Sequence, residues 1–192
     1  MHGVVQPLQP LLQPSGAVLA DAVRRSRAPL WLPWPLPRGW VVTGVGCAGD
    51  ERRGGRAAVV ACTGPAPLGG GGELLLVAEE PGIGLGARYA GLPGPDPGPE
   101  AAAVMGSPPH ARLHADGHPT ALWCLPGPDD RAVYVGEALG QWLWLVLHPA
   151  DAGALLLEDL VLADLRALGG EIAVVPMGAL TPRLSAGSTT RA

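Results

Sequence analysis

The side chains able to do chemistry are few, and their spacing narrows them further. Three histidines stand four residues apart at His110, His114 and His118. On a helix such a ladder gathers imidazoles around one metal ion, but Pro108, Pro109, Gly117 and Pro119 rule a helix out here. Read as a hairpin turning at Asp116-Gly117, the segment sets His118 opposite Ala115 and away from the face of His114. His110 and His114 then share a face roughly 13 Å apart, at about 3.3 Å per residue. Zinc needs ligands about 2 Å from a single point, so no metal site is expected. Gly44-Val-Gly-Cys-Ala-Gly49 spells the glycine pattern of a dinucleotide-binding turn, which requires a helix next to hold the pyrophosphate. The next residues, Asp50-Glu-Arg-Arg-Gly-Gly55, form a turn instead, so no nucleotide is expected. Cys47, Cys62 and Cys124 are odd in number and widely spaced. If a hairpin pairs around residues 48–55, Cys47 faces Arg56 and Cys62 faces Val41, too distant to bond. Reduced core thiols are the expectation.

The most site-like stretch begins after Glu73. A strand over Leu74–Glu79 ends in paired acids, Glu79 and Glu80, and Gly82, Gly84 and Gly86 then leave backbone amides uncovered. Arg88 opens a short helical turn and adds a fixed positive charge. Strand, glycine turn and helix start can hold an anion or the pyrophosphate of an acyl carrier. The loop resembles the acyl-coenzyme-A loop of a large acetyltransferase superfamily, but Gly91 and Pro93 break the helix within about two turns. The competing reading is a tight turn, with Arg88 paired to Glu79 or Glu80. The ligand-binding candidates are therefore Glu79, Gly82, Gly84, Gly86 and Arg88. A second candidate surface is the strip from Trp31 to Trp40, where alternate prolines favour an extended, polyproline-like chain. Trp31, Trp34 and Trp40 could dock a partner, or their rings could lie against this chain's own sheet. No residue is assigned a catalytic role.

These groups need elements to position them. Ala17–Ser26 reads as a short helix capped by Ser15. Trp40–Cys47 and Arg56–Cys62 read as an antiparallel hairpin, and Ala111–Ala115 with His118–Leu125 as a second. Arg131–Val135 and Gln141–Leu147 read as two further strands. In the latter, Trp142 and Trp144 share one face and Leu143, Leu145 and Leu147 the other, which marks a central strand covered on both sides. Gly84–Ala90 is a helical turn and Gly91–Pro99 a rigid loop. Glu158–Leu168 is the expected late helix, ended by Gly169-Gly170, and Glu171–Val175 a closing strand. Taking Leu157, Leu160, Val161 and Leu168 as its buried stripe puts Asp164 inside it, where a carboxylate must find a partner. The fold class is α+β: a mainly antiparallel sheet core with a short N-terminal helix and one C-terminal helix. Residues 1–16 read as an irregular Pro/Gln-rich segment, 17–184 as one domain and 185–192 as a fraying tail.

Composition limits the chemistry. The 192 residues include 29 Gly and 22 Pro but no Lys, Asn or Phe, a bias that tracks codon GC content. Without Lys there is no Schiff base and no P-loop lysine. Net charge is −4 and the arginines are dispersed among acids, so no nucleic acid is expected as a partner. The N-terminus lacks a basic signal-peptide region and no apolar run reaches the roughly 18 residues of a membrane helix. A cytoplasmic location and no membrane partner are therefore expected. No cofactor is expected.

Several long blocks occur in one order: WLPWPLPRGWVVTGVGCAGDERRGGRA, CTGPAPLGGGGELLLVAEEPGIGLGARYAGLPGPDPGP, PDDRAVYVGEALGQWLWLVLHP and LVLADLRALGG. Together they resemble a family of actinobacterial proteins classed only as a domain of unknown function. The resemblance spans roughly residues 2–184 and implies no activity. Members often begin with a zinc-ribbon-like segment, a Cys-x-x-Cys knuckle and then a Cys followed closely by His-Gly. This chain opens at Met1-His2-Gly3, so either its start is misassigned or this member lost the ribbon. The leading expectation is a non-enzymatic binding or regulatory domain. An acyl- or phosphoryl-transfer enzyme using Gly82–Arg88 is the alternative, and a homo-oligomeric scaffold the third reading.

Overall fold

The computed structural model describes residues 11–50 and 54–186. Most of the expected irregular N-terminal segment, the hairpin tip at 51–53 and the tail from 187 lie outside the described residues. Nine strands form one sheet, in spatial order β1-β9-β5-β6-β7-β8-β4-β3-β2. They are β1 (Trp31–Pro33), β2 (Val41–Asp50), β3 (Gly54–Pro65), β4 (Gly71–Glu79), β5 (Ala111–Ala115), β6 (His118–Leu125), β7 (Ala132–Ala138), β8 (Gln141–His148) and β9 (Val161–Asp164). Every neighbouring pair is antiparallel except β5 and β9. The sheet curls strongly into a half-barrel, which brings edge strand β1 back within 8 Å of β3 and β4, Cα to Cα. The fold is α+β, as the alternation of strand signals implies.

Both faces of the middle of the sheet are covered, which explains its uninterrupted apolar runs. Inside the curl, Leu74 and Leu76 of β4 and Leu143, Leu145 and Leu147 of β8 pack with Trp31 and Leu32. On the outer face, Leu75, Val77, Trp144 and Val146 are covered by α2 (Leu85–Ala90), α3 (Gly98–Met105) and α4 (Pro182–Ala186). The central position of β8, with Trp144 and the three leucines on opposite faces, is as the sequence implies. Each fully buried aliphatic or aromatic side chain stabilises the fold by about 1.5–3 kcal/mol.

Helix α1 (Gly16–Arg25) forms where its cap predicts, Ser15 Oγ accepting from the Val18 amide at 3.2 Å. Both hairpins form, and Ala115 lies opposite His118 as expected. Four expectations fail. Glu158–Leu168 is not a helix: its centre is β9, which pairs with β1 on one side and β5 on the other. Glu171–Val175 is not a strand, because Gly169–Val174 winds as a 3-10 helix. The strip from Trp31 is extended as expected, but its first three residues pair as a strand rather than running polyproline-like. Bulges in the β2–β3 ladder shift its register, so Cys47 faces Ala58 and Cys62 faces Val42. The two thiols remain several positions apart and are free. Helix α3 had no sequence expectation. Among the described residues no helix is long and apolar enough to cross a membrane.

Candidate functional site

The glycine turn forms at the end of β4. Gly82 and Gly84 both take left-handed backbone conformations, with φ of 86° and 84°, which glycine adopts without strain. They reverse the chain so that the six-residue α2 lies against the outer face of the sheet. Gly86 makes that contact possible. A Cβ there would collide with the Trp144 ring.

Three amides of this turn, those of Gly82, Leu85 and Gly86, are already taken. Glu79, the last residue of β4, is fully buried on the same face as Val77, directly beneath α2. One of its oxygens accepts from the Leu85 amide at 2.6 Å and the other from the Gly86 amide at 3.1 Å. The Trp144 indole N–H sits beside the carboxylate without meeting hydrogen-bond geometry. Asp96, from the rigid loop, accepts from the Gly82 amide at 2.8 Å and from Trp142 Nε1 at 3.1 Å through the same oxygen. The sequence pattern of an anion-binding turn is real, and the chain fills it with its own carboxylates. Burial raises the Glu79 carboxyl to about 7, the two amide bonds and Trp144 acting against the shift and the Asp96 charge adding to it.

Arg88 does not join this cluster. It is half-buried on α2, and its side chain makes no hydrogen bond or ion pair among the described residues. Glu80 pairs instead with Arg56 on β3 at 2.7 Å. The five ligand candidates thus split: Glu79, Gly84 and Gly86 hold α2 on the sheet, Gly82 ties the turn to Asp96, and Arg88 stands apart. Of the two readings of the tryptophan strip, Trp31 and Trp40 follow the one in which the rings lie within this chain's own fold. Trp31 and Trp40 are buried in the inner core, with Trp40 Nε1 donating to the Pro65 carbonyl at 3.1 Å. Their rings are out of a partner's reach. Trp34 is half-buried and donates to Glu171 at 3.0 Å.

The three spaced histidines do not converge. His110 Nδ1 accepts from the Cys124 amide at 3.0 Å, whereas His114 and His118 are exposed and opposite Pro119 and Ala115. Among the described residues no three His, Cys, Asp or Glu side chains come together in a way that would hold a metal ion. Gly44 and Gly46 lie inside β2, and Leu184 of α4 occupies the space a Cβ on Gly44 would need.

Next to the glycine turn is a feature that sequence reasoning missed. A groove of about 420 Å³ runs between Pro81, the 96–99 loop and α3. Trp142 lines it, Ala102 and Met105 form the α3 wall, and Asp96 supplies its carboxylate. The signal for it was partial. Trp142 sits on the expected strand, but only its alternation with Leu143 was legible, not that its ring is left half-buried. Asp96 lies 14 residues from the amide it binds, and no local pattern announces such a contact. A second hollow of about 600 Å³ lies between α1 and β2 and reaches Cys47, whose thiol burial pushes up and so keeps protonated.

A family model described as a family of unknown function (DUF6758) matches residues 1–184, and the chain belongs to that family. No curated protein and no solved structure matches it significantly.

Proposed function

We propose that this family member is a non-enzymatic binding or regulatory domain that receives its ligand in the groove lined by Trp142. The observation that carries this reading is the occupancy of the glycine turn. An acyl- or phosphoryl-transfer enzyme at Gly82–Arg88 would need amides free to receive the charge that develops in its transition state. Those of Gly82, Leu85 and Gly86 are bonded to Asp96 and Glu79. The feature that remains open to solvent nearby is an apolar-walled groove with a half-buried indole, the usual make-up of a binding site. The GC-rich codon signature supports an actinobacterial source, and the free thiols support a reducing, cytoplasmic setting. No nucleic-acid partner is proposed, since the chain is acidic overall.

One observation favours the enzymatic alternative. Glu79 is a buried carboxyl that titrates near neutrality, a property of many general acids and bases. It is sealed beneath α2 with both oxygens engaged, which leaves it no route to a substrate. A thermal-shift screen separates the two readings. Coenzyme A, acyl-coenzyme A, nucleotides and phosphate should leave the melting temperature unchanged, while apolar fragments should raise it and lose their effect in Ala102→Arg. Stabilisation by coenzyme A that survives Ala102→Arg would overturn the binding-domain reading.

A further inference from the structure

Resting on that groove assignment, we propose that its ligand is a small organic cation carried on an apolar body, held against Trp142. The groove walls are Pro81, Pro97, Ala102 and Met105, which offer apolar contact and no hydrogen-bonding side chain. The titratable side chains that strand register and hydrogen bonding set beside the indole are acidic. Cross-strand pairing sets Glu79 of β4 on one side of Trp142 and Glu137 of β7 on the other, and directly opposed residues project from the same face. Glu137 is exposed and makes no hydrogen bond or ion pair among the described residues. Asp96 spends one oxygen on the Gly82 amide and the indole N–H, and its second oxygen makes no hydrogen bond among the described residues.

The arrangement is complementary to a cation. An indole presents a negative π face to an ammonium group, and two carboxylates with unspent acceptors stand at its rim. Asp96, by accepting from Nε1, also fixes the ring in place and makes it more electron-rich. Arg56 on β3 is spent on Glu80 at 2.7 Å. An anion would be repelled by the unspent carboxylates, and a neutral apolar ligand would leave them unused. The groove volume of about 420 Å³ suits a small molecule rather than a folded partner.

Hexyltrimethylammonium, hexanol and hexanoate share one apolar chain and differ in charge. Each is titrated into the full chain while the Trp142 indole N–H resonance, assigned by its loss in Trp142→Phe, is followed by NMR. The expected result is a saturable shift that is tightest with the ammonium, weaker with hexanol and weakest with hexanoate. Asp96→Asn, which keeps the oxygen that Gly82 and Trp142 use, and Glu137→Gln should each weaken the ammonium binding by about fivefold, the worth of one charge pair at a surface. Added salt should weaken it too. Hexanol binding as tightly as the ammonium would sink the cation inference and leave the groove assignment standing. If none of the three moved the indole resonance, both would fall. A concentration-dependent dimer lost in Ala102→Arg would make a second copy of the chain the occupant and overturn the proposal.

Discussion

At the scale of single residues the chain is governed by where its carboxylates go. Glu79 is the clearest case: a buried acid whose two oxygens cap a helix start six and seven residues further on. Its value of about 7 lies above the ordinary 4.5, so between those limits the folded protein keeps a proton that the unfolded chain has released. Stability contributed by this group therefore declines as pH rises through that window and is level above it. Glu79→Gln should remove this downward component, so that the variant gains stability relative to the wild type as pH rises from 4.5 to about 7, because the amide cannot ionise. Urea unfolding at the two ends of the window measures it, and a variant that kept the full wild-type slope would show that another group titrates. The neighbouring glycines were legible in sequence as a sharp turn, but their purpose was not. Whether an uncovered amide faces solvent or a side chain from another strand is set by tertiary contacts that spacing does not encode.

Among elements, β9 teaches the most. Its segment, with leucines, alanine and an arginine, has good intrinsic helix propensity and a helical apolar stripe. It folds as a strand because β1 and β5 offer ladders on either side, a gain in long-range pairing that outweighs local preference. The inference about Asp164 survives the change of element. It is buried at 6% exposure, paired with Arg166 at 2.6 Å, and accepts from the Leu30 amide at 3.2 Å. Asp164→Ala strands that amide and the arginine, and should cost about 1–4 kcal/mol in urea unfolding. Asp164→Asn, which keeps an acceptor for Leu30, should cost less. Equal losses would mean that the contact is pure packing. The hairpins, by contrast, were legible because Asp116-Gly117 and the alternating runs beside it are local signals. Helix α3 was not, being short and enclosed by glycines and prolines.

For the whole molecule, the curl of the sheet creates two buried ends with opposite titration behaviour. At the far end of β4 and β8 from Glu79, His148 is only 3% exposed and stands opposite Glu73 in the strand register. Burial holds its value down to about 4 from 6.5, the charges of Arg183 and Arg131 adding to the effect and Asp130 opposing it. The unfolded chain gains the proton first, so this group lowers stability as pH falls from 6.5 towards 4. Glu79 acts in the opposite sense from 4.5 upward, and the two nearly cancel where their windows overlap. His148→Gln should unmask the Glu79 slope, making the melting temperature rise on acidification where the wild type stays level. A flat profile in that variant would refute the opposition. The central claim, that the glycine turn is filled by the chain's own carboxylates and is architecture beside a binding groove, meets its most direct test in one titration. Coenzyme A is added to the protein while the amide resonances of Gly82, Leu85 and Gly86 are followed by NMR. All three should stay in place up to saturating concentrations. Saturable shifts of Leu85 and Gly86 would contradict the claim, because the ligand would then hold the amides that Glu79 holds in the free protein.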